Sequence, residues 1–194
     1  IKMMIELAQS FNYDKESPWY NNIKLLRHSN DGIISLSAFV KPLNALTFAD
    51  NDYYLIKNEL NKNTKEFPHF SSITYDTKRF LFWNFYKAKD FNSVYKILFN
   101  YFKALSIVLD KDWLNENSLL SKTTGYNAIM KLFKDIYAEG VKANNLTYDY
   151  FFGKLSLLSS MNGTITSDNF GTSGFKASND LYFEMKKYIT GTHL

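Results

Sequence analysis

Residues 90–109, DFNSVYKILFNYFKALSIVL, constrain this chain more than any other stretch. On a helix, Leu98, Phe102, Leu105 and Leu109 form one apolar stripe and Val94, Ile97, Tyr101 and Val108 a second. Only Lys96, Asn100 and Lys103 are left as a narrow polar edge. A helix that is apolar around most of its girth has to be enclosed by other elements. The chain is therefore expected to be mainly α, a compact helical domain over residues 1–194 packed around this segment. Its aromatic content, 17 Phe, 14 Tyr and 3 Trp in 194 residues, supplies the burial area such a core needs.

The flanking pattern predicts the enclosing elements. Residues 1–12 place Ile1, Met4, Ile5 and Ala8 on one helical face, with Phe11 extending it. In SPWYNN, Ser17 is a helix cap with Pro18 at the first helical position, so a short helical turn is expected there. Residues 23–26 and 33–36 flank the turn signal SNDG, which predicts a small β-hairpin. A helix starting at Ser35 or Ser37 continues past Pro42 to about Phe48. Residues 50–63 read as a surface helix or loop and residues 64–75 as irregular, with residues 76–89 helical again. Residues 125–137 direct Ile129, Leu132, Phe133 and Ile136 inward and Lys131, Lys134 and Asp135 outward, with Gly140 as the expected stop. A helix is expected over residues 147–161, then a Gly-, Ser- and Thr-rich connector, then a short amphipathic helix over 181–189.

Composition excludes several classes of chemistry. Without cysteine there is no disulfide framework, thiol nucleophile or thiolate metal site, which fits a reducing compartment, so the expected location is cytoplasmic. No apolar run reaches the roughly 18–20 residues of a membrane span. The charge is +4, from 23 basic and 19 acidic residues, and Arg27 and Arg79 are the only arginines. Lysines attract phosphate but lack the planar fork that reads base edges. His28, His69 and His193 are far apart with no partners at helical spacing, so no metal ligand set is expected, and no cofactor. No catalytic residue is singled out.

Three stretches carry a choice between a site and a structural role. In SLLSKTTGYNAIMKLFKDIY, residues 118–137, a Thr-Thr-Gly turn opening a helix offers backbone N–H groups, hydroxyls and Lys122 to an anion. The simpler reading is that Thr123 or Thr124 caps the helix while Gly125 eases the turn. If the stretch binds, Lys122, Thr123, Thr124 and Asn127 are the anion donors, with Lys131 further along the helix. In FGTSGFKAS, Gly171, Ser173, Gly174 and Lys176 offer a similar cradle, against the simpler reading of a flexible connector. Phe80, Phe82, Trp83, Phe85 and Tyr86 among Lys78, Arg79, Lys87 and Lys89 have the interleaving of a single-strand binder, or of a core with a charged rim.

Read in order, the blocks ELAQSFNYDKESPWYNNIKLL, GIISLSAFVKPL, VYKILFNYFKALSIVLDKDW, LLSKTTGYNAIMKLFKDI and GTSGFKASNDLY resemble the C-terminal half of the DGQHR-domain proteins. That group includes the B component of bacterial DNA phosphorothioation systems. The most specific pieces are Ser17, Pro18, Trp19 and Tyr20; then Asn100 to Ala104, NYFKA; then Thr123, Thr124, Gly125 and Tyr126. The name-giving Asp-Gly-Gln-His-Arg string is absent, since Ile33 and Ile34 follow Asp31 and Gly32. The resemblance implies a helical C-terminal part that packs against its own N-terminal domain, in a protein linked to DNA modification, restriction or transcription regulation. The expected function is a noncatalytic, DNA-associated accessory domain, with a homo-oligomer as a further partner expectation. Two rivals stand beside it: a nucleotide-handling enzyme or nuclease completed by an N-terminal half, and a purely structural dimerisation module.

Overall fold

A computed structural model describes residues 2–25, 32–49, 52 and 75–191. The readings of residues 53–74, the SNDG turn and all three histidines lie outside the described residues. The fold is mainly α. Its elements are α1 (Lys2–Tyr13), β1 (Ile23–Lys24), β2 (Ile34–Ser35), α2 (Leu36–Ala45), α3 (Trp83–Ala88), α4 (Phe91–Val108), α5 (Thr123–Lys142), α6 (Tyr148–Leu155), α7 (Ser167–Phe170) and α8 (Gly174–Thr190). A 3₁₀ turn, Leu119–Ser121, precedes α5, and another, Ser156–Met161, continues α6.

The enclosed helix is α4. Asp90 starts it, its carboxylate accepting the Ser93 N–H at 3.1 Å. Both apolar stripes are buried along its length. Helix α6 packs along one side of α4, while α5 packs against α8 and α1 against α2. Asn100 is absorbed into this packing, its side-chain N–H donating to the Leu146 carbonyl at 3.2 Å.

At the centre lies Trp19. Its ring meets Phe39, Phe102, Trp113 and Tyr126 nearly edge-on, at centroid distances of 5.6, 5.7, 5.0 and 5.6 Å. Two hydrogen bonds fix the surround. Tyr126 donates its hydroxyl to the Phe39 carbonyl at 3.0 Å, and Trp113 donates its indole N–H to the Pro18 carbonyl at 3.1 Å. Ser17 does not begin a regular helix. Its hydroxyl accepts the Trp19 N–H in an isolated turn, which delivers the indole to the core.

The β element differs from the expected hairpin, because its two strands pair parallel, Ile23 with Ile34 and Lys24 with Ser35. The N–H groups of Ile33 and Ile34 both reach the Asn22 carbonyl, at 2.8 and 3.1 Å. The second strand therefore enters beside the start of the first rather than its end, and the paired Ile23 and Ile34 face the core. Ser35 then caps α2, accepting the Ala38 N–H at 3.2 Å, and Pro42 lies inside that helix.

Two further expectations are corrected. Gly140 does not end its helix, which runs on to Lys142. A Cβ there would lie 2.7 Å from the Asn145 carbonyl oxygen and 2.8 Å from the Tyr150 ring, so glycine serves the close return of the chain into α6. The presumed connector is also ordered into structure. Ser118 bridges Thr166 antiparallel, Leu119 N–H donates to Ile165 O at 2.8 Å, and α8 begins at Gly174, well before residue 181. The 80–86 cluster is core with a charged rim, since Phe80, Phe82, Trp83 and Tyr86 are buried and Lys78, Arg79, Lys87 and Lys89 exposed.

Replacing Tyr126 by Phe removes the hydrogen bond that ties α5 to the Phe39 carbonyl of α2. Urea unfolding should show a loss of about 1–2 kcal/mol with an unchanged denaturant slope.

Candidate functional site: a lysine-rimmed groove

The Thr-Thr-Gly stretch does not fold as the capping reading expects. Neither threonine caps α5. The cap position is Lys122, in extended conformation and with no side-chain cap bond, so Thr123 and Thr124 are the first helical residues. The capping serine is Ser118, whose hydroxyl accepts the Leu120 N–H at 3.2 Å and donates to Ile165 O at 3.0 Å. Gly125 is helical, and its role is steric. A Cβ on it would lie 2.0 Å from the Leu119 carbonyl oxygen and 2.6 Å from the Leu120 Cα. The 3₁₀ turn thus lies directly on the first turn of α5.

The start of α5 faces two grooves. The smaller, about 580 Å³, is rich in hydroxyls and bordered by Glu116, Lys122, Thr123, Thr124, Ser167 and Ser173. The larger, about 800 Å³, lies between α2, α5 and the first turn of α8. Helix α5 contributes Thr123, Thr124, Asn127, Met130, Lys131 and Lys134, a helical stripe opposite the Ile129, Leu132, Phe133 and Ile136 stripe that enters the core. Helix α2 supplies Lys41, Pro42 and Leu46, and α8 supplies Gly174, Phe175 and Ser178.

The electrostatics of the larger groove are one-sided. Its described lining carries Lys41, Lys131 and Lys134 and no carboxylate. Helices α5 and α8 both begin in this lining, and neither has a side-chain cap. Two N-terminal turns without a side-chain cap, each carrying partial positive charge, therefore border one space. Lys131 donates to Asn179 Oδ1 at 2.7 Å and approaches Ser178 Oγ at 3.4 Å. Both acceptors are neutral, so the ammonium charge is not cancelled. Burial lowers the Lys131 pKa from the ordinary lysine value, because desolvation disfavours the charged form. Asp135, on the same helix, is turned away and engaged by Lys186 at 2.8 Å and by the Tyr182 hydroxyl at 2.6 Å.

Thr124 is 7% exposed and makes no side-chain hydrogen bond among the described residues, yet it borders both grooves. Its hydroxyl is a donor held at the start of α5 without an acceptor.

The structure brings Thr123, Thr124, Asn127 and Lys131 together on the larger groove and places Lys122 on the smaller one beside them. Of the second cradle, Ser173 and Gly174 join this lining, whereas Gly171 and Lys176 do not. Sequence reasoning missed Lys41, Lys134 and Phe175. For Lys134 a signal existed, since it shares the helical stripe of Asn127 and Lys131. Among the described residues no group of His, Asp and Glu could hold a metal ion, and no helix is long and apolar enough to cross a membrane.

No protein-family model, curated protein or solved structure matches the chain.

Two substitutions separate fold from site. Gly125→Ala forces the 3₁₀ turn off α5 and should cost about 3 kcal/mol or more in urea unfolding. Thr124→Val removes a hydroxyl that bonds to nothing, so unfolding should shift by no more than about 1 kcal/mol. A larger loss would mean that the hydroxyl has a structural partner.

Proposed function

We propose that the chain is a noncatalytic, DNA-associated accessory domain that holds phosphate groups in the lysine-rimmed groove. One observation carries this reading: two uncapped helix N-termini and three lysines share a lining without a carboxylate. Backbone N–H groups at helix starts and lysine ammonium groups both bind phosphate oxygens. The DGQHR-type blocks quoted above support the same assignment, including its link to DNA modification, restriction or regulation. Lysine without arginine in the lining fits backbone contact rather than base-edge readout.

Fluorescence anisotropy with a DNA duplex carrying a single-stranded tail, read across a salt series, tests it. Affinity should fall steeply as salt rises, and Lys41→Ala and Lys134→Ala should each lower the log–log slope by about 1. Absence of binding at low salt, or slopes that neither substitution changes, would overturn the proposal. Concentration-dependent self-association without DNA binding would instead support the dimerisation module.

A further inference from the structure

We infer that the larger groove takes an unpaired DNA strand, with a base stacked on Phe175 and its phosphate at the start of α5. The inference rests on the DNA-binding reading above and names the form of DNA that the groove accepts. Phe175 is 79% exposed, the highest value among the exposed large hydrophobic residues that the structure describes. It stands in the first turn of α8, and the Lys131 ammonium lies 4.8 Å from its ring centroid. An aromatic ring held in water beside a cation is the pairing that single-strand binders present to bases, because every base has a π-face to offer.

The rest of the groove agrees in chemistry and size. Pro42, Leu46 and Met130 give it an apolar wall, while the uncapped turn of α5 and the unpartnered Thr124 hydroxyl supply phosphate donors. A volume of about 800 Å³ suits one nucleotide with part of its neighbour. A duplex keeps its base faces stacked inside and can offer this groove only phosphates. With no arginine in the described lining, contact with a stacked base would tolerate any sequence.

The test compares an oligodeoxythymidylate with a blunt duplex of equal length, using the wild type, Phe175→Ala and Phe175→Trp. Because Phe175 is exposed, neither substitution should move the thermal midpoint, which circular dichroism checks. The wild type should bind the single strand more tightly than the duplex. Phe175→Ala should weaken single-strand binding about tenfold and leave duplex binding nearly unchanged. Phe175→Trp should keep the affinity and add a red-shifted, solvent-exposed component to the emission of the three native tryptophans, and the strand should quench that component. Equal weakening on both DNAs, or no effect of Phe175→Ala on the single strand, overturns the inference. If salt-dependent binding persists in either case, phosphate binding stands and only the stacking assignment fails. If neither DNA binds and an oligoglutamate does, both readings fail and the partner is an acidic protein segment.

Discussion

The edge-on packing of Trp19 is the contact on which the described structure depends. Its four ring neighbours come from α2, α4, α5 and the segment between α4 and the 3₁₀ turn, so one side chain joins parts of the chain that are remote in sequence. The indole N–H is buried and has no acceptor among the described residues. That cost is of the order of 1–3 kcal/mol and is offset by the burial of the largest ring available. Specificity comes from the surrounding polar atoms, since Trp113 and Tyr126 are each tied to a backbone carbonyl and cannot rotate away.

Helix α5 links this core to the groove. One stripe of its surface enters the aromatic packing while the opposite stripe lines the groove, and α8 is braced against it by the Lys186, Asp135 and Tyr182 contacts. These contacts are half-exposed, so their contribution to stability is small. Their effect is positional. By engaging Asp135 away from the groove they leave the groove-facing lysines without a competing carboxylate on that helix.

The enclosed helix α4 was legible because its double apolar stripe has only one physical solution, and Ser35 marked the start of α2 by ordinary capping chemistry. Where the reading failed, a local rule was outweighed by a distant contact. Gly140 reads locally as a stop, but the chain that returns against it sets its identity. The turn residues before β2 suggested a hairpin, but the Asn22 carbonyl fixes where β2 enters. The early start of α8 was hidden by its Gly and Ser content, although Ala177, Ser178, Leu181 and Met185 carry a helical spacing that could have extended it. At the groove, the α5 residues were found from one helix start alone. Lys41 and Phe175 were not, because nothing local in either segment indicates that α2 and α8 meet α5.

The missing Cβ of Gly125 sets the character of any binding at this site. Because the 3₁₀ backbone rests on the first turn of α5, the donors there are positioned when the chain folds, not when a ligand arrives. Little conformational entropy remains to be lost on association, so affinity is governed by how well a partner's acceptors match a fixed array. The same rigidity couples the two processes: a ligand held by that array stabilises the folded state by mass action, and local loosening of the 3₁₀ turn erodes affinity before the chain as a whole unfolds.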